Sequence, residues 1–167
     1  DRAIVFRSVD QKKNPHIYQT LEGLGYDLVL SRQVWYMDPV AALKTRQCKE
    51  DVRVLKKAGY DVVNGRELSD EELHRAVELY NLLYLQKYSY YNPQFTFDLL
   101  KLAREQDILH MYGLKKDGKL NAIMGFFVRN GAMTQPLFGY DTSLPLEEGL
   151  YRLLTLVTLQ EGVKRGL

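Results

Sequence analysis

Two dipeptides constrain this chain more than any other feature: Asp117-Gly118 and Asn130-Gly131. Each suits a two-residue hairpin turn, which needs positive φ at both central positions. The runs around them, Ile108 to Leu114, Leu120 to Val128 and Ala132 to Tyr140, are rich in β-forming residues. Three such runs joined by two tight turns predict an antiparallel meander, and a meander with this much apolar content needs helices to cover it. Pro136 lies inside the third run. It cannot donate to a ladder, so that strand is expected to be an edge, or to bulge or splay there.

The covering helices are legible too. Ser69-Asp70-Glu71-Glu72 is a capping box. Leu73, Val77, Tyr80, Leu83 and Tyr84 then recur on one face, predicting a helix to about Tyr88. Tyr88-Ser89-Tyr90-Tyr91-Asn92-Pro93 reads as a loop. Asn92 or Thr96 starts a second helix to about Glu105. After a loop at 141–145, a helix carries Leu150, Leu153, Leu154, Val157 and Val163. Tyr60 to Val63 reads as a short strand ended by Asn64-Gly65.

Upstream, Ile4, Val5 and Phe6 predict a strand over 3–7, and Asn14-Pro15 a helix start ending near Gly25. Asp27–Leu30 and Gln33–Met37 read as two strands about a turn at Ser31-Arg32, or as one long strand, stopped by Asp38-Pro39. Residues 40–58 form a basic helical stretch with Val52, Leu55 and Ala58 on one face, Lys49, Arg53, Lys56 and Lys57 around them, and Gly59 as cap. The expected organisation is therefore 1–38 (strand, helix, strand, strand), 39–59 (a basic linking helix) and 60–167 (strand, two helices, meander, helix).

Of the 167 residues, 46% are hydrophobic and 26% charged, a composition that supports a real core. A net charge of +2 is too mild to make nucleic acid the expected main partner. The single cysteine, Cys48, excludes an internal disulfide or a cysteine-built zinc site and suits a reducing, cytoplasmic setting. His16, His74 and His110 show no metal-ligand spacing, so no metal is expected. No apolar run approaches the roughly 18 residues of a membrane span. The chain opens at Asp1 without a methionine and closes at Gly166-Leu167, just where an α/β fold would turn into another strand. It reads as a piece of a longer protein, natural or engineered.

The order from Tyr60 onward, with Lys87-Tyr88-Ser89-Tyr90-Tyr91-Asn92-Pro93 between the helices, Phe138-Gly139-Tyr140-Asp141 ending the third strand and Leu146-Glu147-Glu148-Gly149-Leu150-Tyr151 opening the last helix, resembles the GNAT-type N-acyltransferases, particularly their FemAB-like, tandem relatives. The resemblance covers residues 60–165. It implies an α/β (α+β) fold, GNAT-like, with a mixed, mostly antiparallel sheet flanked by helices. Residues 3–37 follow the order in which that fold finishes. The parent is then a tandem protein, or the two pieces complete each other within one chain or by self-association.

The implied activity is direct attack of an amine on a thioester, with acetyl-CoA or another acyl-CoA as donor and a small-molecule or amine acceptor. In the family the donor pyrophosphate lies on backbone amides at the start of the last helix, here Leu146, Gly149, Leu150 and Tyr151. Its pattern is Gln or Arg, two residues, Gly, one residue, Gly or Ala; only Gly149 matches. Glu147 and Glu148 put negative charge at that turn, or simply complement the helix dipole. A splayed strand at Pro136 would free an amide for the thioester oxygen. Tyr140 is the implied acid and Asp141 the implied base, Asp141-Thr142-Ser143 being otherwise a helix-entry turn. Tyr88, Tyr90, Tyr91 and Asn92 would line the acceptor site, or cover the rim of the core. Three alternatives stand beside this reading: a non-catalytic binding or structural domain, a FemAB-like aminoacyl transferase with tRNA as donor, and an RNA-binding module using the basic run Lys44 to Lys57, which is otherwise a solvated face.

Overall fold

The computed structural model describes residues 3–7, 9–30 and 33–167, which fall into two compact units, Asp1–Tyr36 and Met37–Leu167. The expected turn at Ser31-Arg32 lies outside the described residues.

In the first unit, α1 (Pro15–Gly23) is the one regular element among the described residues. Asn14 precedes it without a side-chain capping bond, and Leu21 is its buried position. The strands expected over 3–7, 27–30 and 33–37 do not form there: these residues join no ladder, and Val5, Val29, Leu30 and Trp35 are exposed. Their β propensity records a fit to a pleated, half-buried surface, and without a paired neighbour it produces no strand.

The second unit begins with a helix where a strand stop was expected. Asp38 Oδ1 accepts from the amides of Val40 (2.8 Å) and Ala41 (3.1 Å), with Pro39 in the first turn, and so starts α2 (Pro39–Leu43). Thr45 caps α3 (Arg46–Ala58), and Gly59 ends it at φ 71°. The basic stretch is thus two helices, and both pack on the last helix, so it is part of this unit's wall rather than a link. Val54, Leu55 and Ala58 face the core; Val52 is not among them.

Four strands, β1 (Asp61–Asn64), β2 (His110–Lys116), β3 (Lys119–Arg129) and β4 (Ala132–Tyr140), form an antiparallel sheet in that order. Both hairpin dipeptides adopt positive φ at both positions, 51° and 74° at Asp117-Gly118 and 51° and 69° at Asn130-Gly131. Pro136 sits on the edge strand at a bulge, where Gly125 faces Leu137 but Phe127 faces Thr134.

Helices cover both faces. α4 (Asp70–Asn81) and α5 (Phe97–Glu105) bury Leu73, Leu79 and Leu100 against Ile123 and Leu137. α6 (Leu150–Lys164), backed by α2 and α3, buries Leu153, Leu154 and Val157 against Met124, Phe126 and Phe138. Alternate residues of β3 and β4 therefore serve opposite cores, and Leu120 to Phe126 are buried without a break. The capping box forms: Ser69 Oγ accepts from Glu72 N and Glu72 Oε2 accepts from Ser69 N. Beyond Asn81, α4 continues as a π-helical turn, Leu82–Gln86, rather than as α-helix to Tyr88. Thr96 caps α5. Among the described residues no helix is long and apolar enough to cross a membrane.

Candidate functional site

Where β4 ends and α6 begins, the chain encloses a cavity of about 610 Å³. Its walls are the end of β4 (Tyr140, Asp141), the connecting loop (Thr142, Leu144 to Leu146), the first turn of α6 (Gly149 to Arg152) and the π-helical turn (Leu82, Gln86 and the following Lys87). A π-turn widens a helix locally and re-aims the side chains that follow it, here toward the cavity.

The start of α6 gives the cavity its electrostatic character. Residues 146–148 form a single 3-10 turn, and the amides of Glu148 and Gly149 are spent on the carbonyls of Pro145 (3.1 Å) and Leu146 (3.0 Å). Gly149, at φ 66°, is the N-cap and brings no side chain to the amides ahead of it. First-turn amides have no intrahelical acceptor, so those of Leu150, Tyr151 and Arg152 stand open at the positive end of a 15-residue helix. The open amides thus begin at Leu150, four residues later than the sequence pattern placed them. Leu146 presents an 89% exposed side chain, and Leu150 buries its own in the core.

Neither Glu147 nor Glu148 lines the cavity, and Glu148 is ion-paired with Lys116 at 3.3 Å. Arg152 lines it, fixed by its bond from Nε to the buried Asp51 at 2.9 Å. Lys87, exposed on the opposite wall, is the other cation. Tyr151 is edge-on to Phe138 and Tyr140, with ring centroids 5.3 and 6.5 Å away. Tyr151 therefore forms an aromatic wall with Tyr140 rather than filling the space before the amides.

Asp141, the implied base, stands in the structure as a paired carboxylate. It is buried and accepts from Arg75 Nη2 (2.6 Å), Ser143 Oγ (2.5 Å) and Ser143 N (3.1 Å), with Lys119 Nζ at 3.6 Å. Burial pushes its pKa up, but the Ser143 hydrogen bonds and the charges of Arg75 and Lys119 outweigh that and hold it below the usual carboxylate range. A carboxylate so stabilised is a weak proton acceptor. Its work is to tie the cavity loop to α4.

The tyrosine loop stands apart from this cavity. Tyr88, Tyr90, Tyr91 and Asn92 do not line the cavity. Asn92 Nδ2 donates to Tyr84 O (3.0 Å), and Tyr80 Oη donates to Pro93 O (2.7 Å). These bonds fold the loop back on the end of α4 and turn Tyr90 and Tyr91 to solvent. The Pro136 bulge likewise stands apart from the cavity lining. Leu82, Gln86 and Arg152 were missed by sequence reasoning. The one available signal was Leu82-Leu83-Tyr84-Leu85, four consecutive apolar residues that no single 3.6-residue stripe accommodates. Among the described residues no group of three or more His, Cys, Asp or Glu is arranged to hold a metal. Compared with known proteins, the chain matches no family model, no curated protein and no solved structure.

Proposed function

We propose that residues 60–165 are the core of a GNAT-type N-acyltransferase, with the 610 Å³ cavity as the donor site for an acyl-CoA. One observation carries the reading: the uncapped start of α6 opens into a cavity at the end of an edge strand, with Lys87 and Arg152 beside it. Open amides, a helix dipole, the Lys87 ammonium and the remaining donors of the Asp51-paired Arg152 favour a pyrophosphate. Alternate amides of an edge strand have no ladder partner and are available to polarise a thioester carbonyl. The acceptor amine then attacks that carbonyl directly: the C–N bond forms, the C–S bond breaks, Tyr140 on the cavity wall gives its proton to the departing thiolate, and the proton shed by the nitrogen returns through solvent to the phenolate.

A second reading, a binding domain without turnover, is favoured by the state of Asp141, whose pairing leaves the site without the base the resemblance implies. Calorimetry with acetyl-CoA and longer acyl-CoAs, on this chain and on any longer parent, tests both. We expect saturable binding that Lys87→Glu weakens about tenfold, the loss of one charge-assisted contact. Absence of binding to every donor overturns the proposal, and binding without acyl transfer to any amine selects the second reading.

A further inference from the structure

A second cavity, of about 230 Å³, lies on the same unit between the turn after β1, the end of α5, the start of β2 and the end of α6. Three guanidinium groups converge on it, Arg66, Arg104 and Arg165, with His110; Asp107 is the one carboxylate of its lining. We propose that this cavity is a binding site for a phosphate group, distinct from the acyl-donor cavity and independent of that reading.

The donor inventory carries the argument. A guanidinium holds five N–H donors in a planar fork matched to oxyanions. Arg104 is fixed by two bonds, Nη1 to Leu68 O (2.7 Å) and Nη2 to Asp70 (2.8 Å), and its side chain is 17% exposed. It is a pre-set donor with N–H groups to spare. Arg165 has Glu161 as its acid, at 3.8 Å and beyond hydrogen-bond reach, while Lys164 takes the same carboxylate at 2.5 Å. Its guanidinium instead stands 5.1 Å over the Phe126 ring and beside the Tyr112 hydroxyl, contacts that orient the fork and leave most of its five donors over. Arg66 pairs with Asp107 at 2.6 Å, but their side chains are 65% and 44% exposed, and a pair so open to water holds weakly and exchanges for a better anion. His110 Nδ1 is 3.3 Å from the same Asp107, so that carboxylate faces both Arg66 and His110.

Charge and size agree. With their ion-pair partners counted, Arg66, Arg104, Arg165, Lys101 and Lys164 face Asp107, Asp70 and Glu161, a positive excess that one dianion neutralises. The space admits a phosphate with a small organic substituent but not a nucleotide, since small-ligand sites of that bulk begin near about 300 Å³. The proposal therefore covers inorganic phosphate and small phosphate monoesters, which share the recognised group.

The test is a titration of the ¹⁵N-labelled chain, followed by NMR, first with inorganic phosphate and then with glycerol phosphate. Support is a saturable shift centred on Arg66, His110, Tyr112 and Arg165, with affinity reduced about tenfold or more in Arg165→Gln and in Arg66→Gln, each loss being one charge-assisted contact. Tighter binding of the ester assigns the site to an organic phosphate; equal binding assigns it to the free ion. Arg66 is 65% exposed at its side chain, so its variant keeps the test standing if Arg165→Gln does not fold. Shifts centred on Leu150 to Arg152 instead, the absence of saturation with both probes, or affinity unchanged in the folded variants overturns the proposal.

Discussion

Gly139 fixes the distance between α4 and the sheet, and Gly139→Ala tests how far the candidate site depends on that distance. A Cβ at this position would stand 2.5 Å from Tyr80 N, 2.6 Å from Leu79 C and 2.7 Å from Leu79 O. All three are backbone atoms of one helix, so no rotamer change relieves the contact. Reaching an ordinary separation of about 3.5 Å requires the helix to retreat by about 1 Å. Leu73, Leu79 and Tyr80 retreat with it, and all three are buried. A gap of that size forfeits roughly a quarter to a half of each contact well. With about 2 kcal/mol at stake per side chain, and some strain remaining, the cost is about 2–4 kcal/mol. Gly139 is not among the positive-φ residues, so the backbone itself accepts alanine, and the penalty belongs to packing alone. Urea denaturation with a thermal melt measures it; the melting temperature should fall by roughly 5–15 °C. Gly131→Ala is the control, because its Cβ meets nothing within 4 Å and only its φ of 69° is violated, for about 1 kcal/mol. A Gly139→Ala chain within about 0.5 kcal/mol of the parent would refute the reasoning, since that is the scatter of ordinary surface changes.

Asp141→Asn keeps the shape of the loop anchor but removes the charge facing Arg75 and Lys119; we expect a loss of about 1–3 kcal/mol, moderated by the partial exposure of Arg75, and faster amide exchange over 142–146. Ser69→Ala removes one half of the capping box and should cost about 1 kcal/mol in urea unfolding; Glu72→Gln retains the reciprocal bond but loses the charge facing Lys115 and should cost a similar amount. Asp141 and Glu161 titrate below their ordinary values; for each, burial is outweighed, by Ser143, Arg75 and Lys119 for Asp141 and by Lys164, Tyr112 and Arg165 for Glu161. Their stabilisation is complete above the unfolded carboxylate range near about pH 4 and is lost as pH falls through the folded values, so an unfolding midpoint at about pH 3 equal to that at neutrality would contradict it. Burial raises Tyr60, Tyr80, Tyr84 and Tyr112, so stability should also decline as pH climbs past about 10, followed by phenolate absorbance.

The parts of the fold that could be read from the sequence are those specified over two to four residues. The Asp-Gly and Asn-Gly turns, the Ser69–Glu72 box, the Thr96 cap and the Pro136 irregularity each rest on a local steric or hydrogen-bonding rule, and each appears in the structure where the residues stand. The readings that failed needed a neighbour the local sequence does not name. Ile4-Val5-Phe6 and Val29-Leu30 favour a strand only once another strand pairs with them. Asp38-Pro39 ends one element and begins another, and the downstream amides of Val40 and Ala41 decide which role is visible. The π-helical turn breaks the 3.6-residue stripe on which the reading to Tyr88 relied.

Charge at the candidate site depends on neighbours at longer range. Read in sequence, Glu147-Glu148 either sets negative charge against an anion or complements the helix dipole, and Asp141 is either a base or part of a helix-entry turn. In the folded chain Glu148 is neutralised by Lys116, 32 residues away, and Asp141 by Arg75, 66 residues away, while Arg152 is held by Asp51 across 101 residues. Each pairing sets what the site presents: Glu148 faces Lys116, Asp141 anchors the loop to α4, and Arg152 is held as a fixed wall. A local reading sums formal charges, whereas a site presents only those charges whose partners point elsewhere. The phosphate cavity follows the same logic, because Arg66, Arg104 and Arg165 belong to three separate elements and acquire a common direction only when β2 and α6 bring those elements together. The spare donors of Arg104 and Arg165 are therefore a property of the fold, and removing Asp70 or Glu161 should redirect them before it unfolds the chain.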